Sequence, residues 1–215
     1  MKDRLAVICA YNPTRTLIST VAHIKLFYDE FDIVIIDSDS TNTDVYKLLP
    51  DNCTVEYCKN KNYELGAWTY AFNKYNQYSV FMFLQDSLTP NRRIPNFDKL
   101  SYENGTIYTF NYMARICDGG YFEDLVNVYK NTDLQFISDL DPNTWILCNA
   151  HTCFILNKEH VPFMLQLENA YIDKKLQKSK IDLWLSERTG GIMADKLPKR
   201  INVEEYFTKV HGGRV

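Results

Sequence analysis

The chain opens with short apolar runs that alternate with stretches whose apolar residues recur every three or four positions. Leu5-Ala6-Val7-Ile8-Cys9-Ala10-Tyr11 is a continuous apolar run, as in a strand buried on both faces. Asn12-Pro13 follows, a pair suited to the N-cap and first position of a helix. Leu17, Val21, Ile24 and Tyr28 then lie at helical spacing. Asp32 to Asp37 predicts a second strand, and Asn42 to Leu49 a short helix after a polar connection. Pro50-Asp51-Asn52 is a turn and Thr54 to Cys58 a third strand. Glu64 to Tyr75 is a helix with Leu65, Trp68, Ala71, Phe72 and Tyr75 on one side, and Ser79 to Leu84 a fourth strand. Strands alternating with helices over short connections predict βαβ units and a parallel sheet, with right-handed crossovers placing helices on both faces.

The second half loses this rhythm. Thr106 to Met113 predicts a strand, Tyr121 to Lys130 a helix, and Trp145 to Leu156 one long strand or two short ones. His160 to Ile172 and Lys180 to Lys196 have helical patterns, the last helix starting near Asp182 and stopping near Gly190-Gly191 or just beyond. Ile201 to Phe207 is a final strand-like piece. The expectation is a single α/β domain, with residues 1–115 a nucleotide-binding half and residues 116–215 a mixed half that completes the sheet.

Composition narrows the function. With 215 residues, 46% of them hydrophobic, the chain can bury a full core. The formal charge is -3 and no basic stripe is present, so a nucleic-acid partner is not expected. No run approaches the ~18 apolar residues of a membrane span. Met1-Lys2-Asp3-Arg4 leads straight into the first strand rather than into a signal-peptide core, so a cytoplasmic location is expected. Most of the six cysteines sit in apolar, strand-like segments and read as reduced core residues. Cys148, His151 and Cys153 share one extended segment without the CxxC or HxxxH spacing of a zinc site, so core packing is the better account of them.

Two of the apolar runs stop abruptly at carboxylates, and ligands of open α/β sheets bind just beyond the carboxyl ends of strands. Asp37-Ser38-Asp39, followed by Ser40, Thr41 and Asn42, suits hydrogen bonding to a base or ribose, and equally a turn with a helix N-cap. In Asn60-Lys61-Asn62-Tyr63-Glu64-Leu65-Gly66-Ala67-Trp68, Asn62 suits a positive φ and Gly66 a close backbone approach. Lys61 suits a ribose or phosphate contact, while packing of Trp68 alone would also account for the segment. Gln85-Asp86-Ser87-Leu88-Thr89-Pro90 places a carboxylate where burial is costly unless it is paired or bound to a metal. The competing account is a turn opened by Asp86 and closed by Pro90; the strand-end position favours function. No GxGxxG follows the first strand and no GxxxxGK[ST] is present, which argues against a dehydrogenase-type dinucleotide site and a P-loop.

Taken together, these segments resemble GT-A type glycosyltransferases. Three motifs carry the resemblance: Ala10-Tyr11-Asn12-Pro13; Asn60-x-Asn62-Tyr63-Glu64-x-Gly66-Ala67-Trp68, similar to an N-x-G-[RY]-[DE]-x-G-x-[FW] motif of rhamnan-type and related transferases; and Phe83-Leu84-Gln85-Asp86-Ser87 at the family's "DxD" position. It covers the first 115 residues well and the rest weakly. Size and motif order also resemble small chlorovirus glycosyltransferase domains that act on a capsid protein, for which the location would be the host cytoplasm.

The resemblance implies a Rossmann-like, mostly parallel central sheet flanked by helices, with a mixed C-terminal half. It implies transfer of a hexose or deoxyhexose from a nucleoside diphosphate sugar, UDP-sugars foremost, to a glycan or glycoprotein. A divalent Mn²⁺ or Mg²⁺ would neutralise the leaving diphosphate. By the same resemblance Tyr11, Asn12 and Asp37 would contact the nucleotide, Asp39 or Lys61 the base or ribose, and Gln85 and Lys209 the donor. Asp86 would hold the metal, and His211, in Lys209-Val210-His211-Gly212-Gly213-Arg214, would complete its site; the competing account of this segment is a frayed tail. Glu187 is the candidate general base, with Asp182 its competitor and Asp118 a third option. The triplet departs from the family in having one carboxylate, so the metal needs a ligand from elsewhere, or the chain is a non-catalytic nucleotide- or sugar-binding module. A nucleotidyltransferase ranks last, because Asn12-Pro13-Thr14-Arg15 contains no glycine for a phosphate loop.

Overall fold

The computed structural model of the protein describes residues 2–59, 63–100, 103, 105–118, 122–173 and 180–210. Its elements, in chain order, are β1 (Arg4–Ala10), α1 (Thr16–Phe27), β2 (Phe31–Ser38), β3 (Cys53–Cys58), α2 (Tyr63–Lys74), β4 (Val80–Gln85) and β5 (Leu88–Pro90), then α3 (Phe97–Leu100), β6 (Thr106–Arg115), α4 (Phe122–Tyr129), β7 (Trp145–Asn157), α5 (Val161–Asp173), α6 (Lys180–Ala194), β8 (Lys199–Asn202) and β9 (Phe207–Lys209). Seven strands form one sheet in the order β3-β2-β1-β4-β7-β6-β8, and β5 pairs with β9 in a small ribbon. β1 is parallel to β2 and β4, β2 to β3, and β6 to β8, whereas β7 is antiparallel to both β4 and β6. Among the described strands of the large sheet, β7 alone therefore runs against the others. This is the mostly parallel α/β sheet that the apolar runs predict.

The three central strands are buried on both faces, which is why they read as unbroken Val/Ile/Phe runs. Trp68 of α2 packs on Phe83 of β4 with ring centroids 5.3 Å apart, and its indole N–H donates to the Thr152 carbonyl of β7 at 3.2 Å. One buried side chain thus ties the parallel front to the antiparallel back, and truncating such a residue typically costs about 3–5 kcal/mol.

Several expectations are corrected. Asn12-Pro13 does not begin a helix: α1 starts at Thr16, and Asn12 takes φ 46° and bonds to a neighbouring loop instead. The helix expected after β2 is a 3-10 turn, Asp44–Leu48. The turn weighed as the competing account of Asp86 to Pro90 is confined to Asp86 and Ser87, and Leu88 to Pro90 is the strand β5, on which Pro90 sits at a ribbon edge where its missing N–H is tolerated. The single strand expected at Ile201 to Phe207 divides into β8 and β9 around a 3-10 turn, Glu204–Tyr206. β7 is one strand, bent at His151 and Thr152, whose φ values are 59° and 50°. The pairing of β6 with β7 slips there, between Thr109 and Asn111.

Candidate active site

The two carboxylate clusters end neighbouring rungs of the sheet. Asp37 pairs in register with Ala10, and the Asp86 N–H donates to the Cys9 carbonyl at 3.1 Å. The two residues therefore flank β1, about 10 Å apart at two strand spacings.

On the β2 side, hydrogen bonds knit two loops into a floor. Asp37 is buried; its Oδ1 accepts the Ser40 N–H at 2.9 Å and its Oδ2 accepts the Tyr46 hydroxyl. Burial and Asp37 hold the Tyr46 phenol far above its ordinary value, so it stays a donor. Asn12 Oδ1 accepts the N–H groups of Thr41 at 2.8 Å and Asn42 at 3.0 Å, while the Asn12 N–H donates to Ser40 Oγ at 2.7 Å. Asn12 and Asp39 both adopt positive φ, which these residue types tolerate. On this floor Tyr11 is 48% exposed, and Tyr57, paired with Asp37 on β3, is 63% exposed.

On the β4 side an ammonium, an amide and a carboxylate form a chain. Lys209 Nζ donates to Ser87 Oγ at 2.8 Å and to Gln85 Oε1, and Gln85 Nε2 donates to Glu64 Oε1. Gln85 is thereby fixed with its carbonyl toward the cation and its amide group toward the anion. The frayed-tail account of Lys209 is corrected: β9 is laddered to β5, and the Val210 N–H donates to the Ser87 carbonyl at 2.9 Å. Glu64 Oε2 is buried with no hydrogen-bond partner. Burial raises the Glu64 carboxyl, Glu187 adds to the rise, and Gln85 and Lys209 oppose it. The Cys9 thiol is pushed well up by burial, then by Glu64 and Asp86, and stays neutral.

The oxygens at this end of the sheet are of the hard kind that suits Mn²⁺ or Mg²⁺: the Asp86 carboxylate, and the Gln85 carbonyl and Ser87 hydroxyl, both of which here accept from the Lys209 ammonium. Glu64 Oε2, on the carboxylate bonded to Gln85, is an acceptor left unsatisfied. Among the described residues no three His, Cys, Asp or Glu side chains form a cage. Ions of this kind are commonly held by one or two carboxylates together with substrate phosphates.

Beyond Lys209 lies a cavity of about 650 Å³ walled by Phe110, Tyr112, Asp118, His151, Glu187 and Lys209 among others. Glu187 is buried; its Oε2 accepts the Tyr112 hydroxyl at 2.9 Å and its Oε1 the His151 N–H at 2.6 Å. Burial raises the Glu187 carboxyl, against the opposing pull of His151, Tyr112, Arg188 and Lys209. Arg188 Nη2 donates to the Asp118 carbonyl at 2.9 Å and so draws the segment after β6 onto α6.

Gly191 explains how α6 delivers Glu187. A Cβ at this glycine would run into the Leu147 carbonyl oxygen and lie 2.8 Å from Cys148 Cα. The helix therefore touches the backbone of β7, and Glu187, one turn earlier on the same face, reaches the bend. The helix runs through both glycines and ends just beyond them, at Ala194, within the expected range. Arg200 of β8 locks the contact, donating to the carbonyls of Leu147 at 3.0 Å, Gly191 at 3.0 Å and Cys148 at 3.1 Å.

The structure thus gathers Tyr11, Asn12, Asp37 and Asp39 at one end of the row, Gln85, Asp86 and Lys209 at the centre, and Lys209, Glu187 and Asp118 around the cavity. Asp182 lies in the first turn of α6, with its side chain outside the described residues, and Lys61 and His211 also lie outside them. Reasoning from sequence missed His151, weighed only as a zinc position, and Tyr112. It quoted Glu64 within a motif without giving it a role. Both sulfurs near the bend are buried free thiols, and Cys153 Sγ donates to the His151 carbonyl at 3.3 Å.

No protein-family model matches the chain, and no curated protein matches it. Among the described residues no helix is long and apolar enough to cross a membrane. Among solved structures the chain is similar to core-mannan synthase A from Aspergillus fumigatus in its Mn/GDP form, with a TM-score of 0.54 and 9% identity, over 90% of this chain and 69% of that one. The likeness is one of architecture, and it establishes that the chain has the GT-A fold expected from its strand-end motifs.

Proposed function

We propose that this protein is a glycosyltransferase that moves a hexose or deoxyhexose from a nucleoside diphosphate sugar to a hydroxyl of a glycan or glycoprotein. UDP-sugars are the first donors to test and GDP-sugars the second. One observation carries the reading: a hydrogen-bonded floor with exposed tyrosines, a charged centre and a cavity with a buried carboxylate follow one another along the carboxyl edge of the sheet. That is the order of base, diphosphate and acceptor along such a donor.

A Mn²⁺ or Mg²⁺ held by Asp86, with His211 as a second ligand, would supply Lewis-acid neutralisation of the leaving diphosphate. The chain's own groups do the rest. Lys209 brings a fixed positive charge to the same place, aimed by Gln85 and Ser87, and Glu64 fixes the amide that aims it. Tyr11, Asn12, Asp37 and Asp39 hold the nucleoside, with Lys61 on the ribose or phosphate. Glu187 is the carboxylate whose charge draws the proton from the acceptor, its basicity raised by burial. Asp182 and Asp118 are its competitors.

The test uses purified protein, a panel of UDP- and GDP-sugars and Mn²⁺, with nucleotide release and thermal shift as readouts. Saturation at 100 times the dissociation constant adds about 2.7 kcal/mol of stability. A second reading, a binding module without turnover, is favoured by the Lys209 ammonium already bonded to both neighbours of Asp86. Metal-independent nucleotide binding with no release from any donor selects that module, and the absence of both signals defeats both readings.

A further inference from the structure

His151 and Thr152 are consecutive left-handed residues in the middle of a strand, at the wall of the cavity. Backbone of this kind persists only where the surroundings over-determine it, and bulges near active sites re-aim side chains. Here the surroundings are the Arg200 bonds to the Leu147 and Cys148 carbonyls and the Trp68 bond to the Thr152 carbonyl. The bend aims the imidazole of His151 into the cavity. Its Nδ1 lies 3.7 Å from Glu187 Oε1, the oxygen that already accepts the His151 N–H. The His151 side chain is 33% exposed, and that of Glu187 only 9%. Both Glu187 oxygens are engaged, one by the His151 backbone N–H and one by Tyr112, so the carboxylate is wrapped while a third of the His151 side chain stays exposed beside it.

We infer that His151 is the group that touches the acceptor hydroxyl, with Glu187 behind it as the carboxylate that orients the ring and balances its charge. This rests on the glycosyl-transfer reading above. As the acceptor oxygen bonds to the anomeric carbon of the donor, its proton passes to Nε2, the ring nitrogen facing away from Glu187. The bond from that carbon to the diphosphate oxygen breaks, and the electron pair leaves with the diphosphate. The imidazolium is held by Glu187 until the proton is lost to solvent. Among the described residues, the charged and titratable groups around this pair are Glu64 from α2, Tyr112 from β6, Asp118 after it, Cys148 and Cys153 from β7, Arg188 from α6, and Glu204 and Lys209 from the C-terminal segment.

His151→Asn is the decisive variant, because asparagine tolerates the positive φ and keeps the N–H that Glu187 accepts, yet has no basic ring. Nucleotide release from UDP-glucose and GDP-mannose, with Mn²⁺ present and water as acceptor, is expected to fall 10²–10⁴-fold. The donor KM and the thermal shift with UDP or GDP should not change, the limb of the pH profile owed to the ring should disappear, and added imidazole should restore part of the rate to His151→Gly. In parallel, NMR titration of the ring should show the His151 midpoint falling in Glu187→Gln. Undiminished release by His151→Asn overturns the assignment to His151 while leaving the parent reading intact. An unmoved midpoint in Glu187→Gln overturns the pair, and this arm decides if the wild type binds nucleotide but releases none. No thermal shift and no release from the wild type would overturn the glycosyl-transfer reading, and this inference with it.

Discussion

The end of β4 and the bend of β7 face the same cleft and are built in opposite ways. At β4 a regular parallel strand stops, and Gln85 on its last rung and Ser87 just beyond turn their side chains to the Lys209 ammonium. At β7 the strand continues: residues 150–153 stand opposite Phe110 alone, and the excess chain is thrown into positive φ. There the backbone receives a carboxylate that another element carries, through a helix pressed against the strand. A strand end makes a site from its own sequence, whereas a bend makes one from its neighbours.

The largest effect separates the carboxylates at the two strand ends. Asp86→Ala is expected to lower metal-dependent nucleotide release by at least about 10²–10³-fold, the usual loss when one essential electrostatic contact to a transition state is removed. Asp37→Ala should instead raise the donor KM with kcat nearly unchanged, because Asp37 holds the Ser40 and Tyr46 loop rather than the reacting groups. Steady-state kinetics on both variants decide this, and the reverse pattern would mean that the metal belongs at β2.

The same contrast explains what could be read in advance. The front strands and α2 followed from continuous apolar runs and helical spacing, and the strand-end positions of Asp37 and Asp86 followed from where those runs stop. Glu187 was reached by resemblance, and Asp118 and Lys209 also line its cavity. His151 stayed hidden because a positive φ in a histidine leaves no mark in the hydrophobic pattern. The helix end just beyond Gly190-Gly191 was legible, but not that Gly191 is there for contact between helix and strand rather than for termination. Leu88-Thr89-Pro90 was not legible as a strand because its partner, β9, lies more than a hundred residues away.

If the back of the site depends on α6 touching β7, overpacking that contact should damage it. Gly191→Ala is expected to cost about 1–3 kcal/mol, measured by urea unfolding, since a backbone oxygen rather than a flexible side chain lies in the way. The shift should also pull Glu187 from the His151 N–H and lower turnover without altering nucleotide affinity.

Both ends carry a buried carboxylate raised above its unfolded value of 4.5, Glu64 beside the end of β4 and Glu187 at the bend of β7. Between 4.5 and the raised folded value the native state binds more protons than the unfolded chain, so stability falls as pH rises through that window. Glu64→Gln and Glu187→Gln should therefore melt higher than wild type at pH 7, by roughly 2–4 °C for each kcal/mol relieved. The advantage should vanish below pH 4.5, where the wild-type carboxyls are neutral too. A variant that melts lower than wild type at neutral pH would show that its carboxylate holds the fold together more than its burial strains it.

The smallest effect is the most discriminating. Gly190 neighbours Gly191 on α6, but a Cβ there would meet only side-chain atoms of Asn149 and Leu167 at 3.6–3.7 Å, an ordinary contact. Gly190→Ala removes backbone entropy from the unfolded chain and should stabilise the protein by about 0.5–1 kcal/mol. Two adjacent glycines in one helix are thus expected to respond with opposite signs. A helix tolerant of glycine merely because it is loosely packed would gain from alanine at both positions, and a helix packed tightly all round would lose at both. Only a helix pressed along a single line against the backbone of β7 loses at Gly191 and gains at Gly190, and that line is the one that carries Glu187 to the bend.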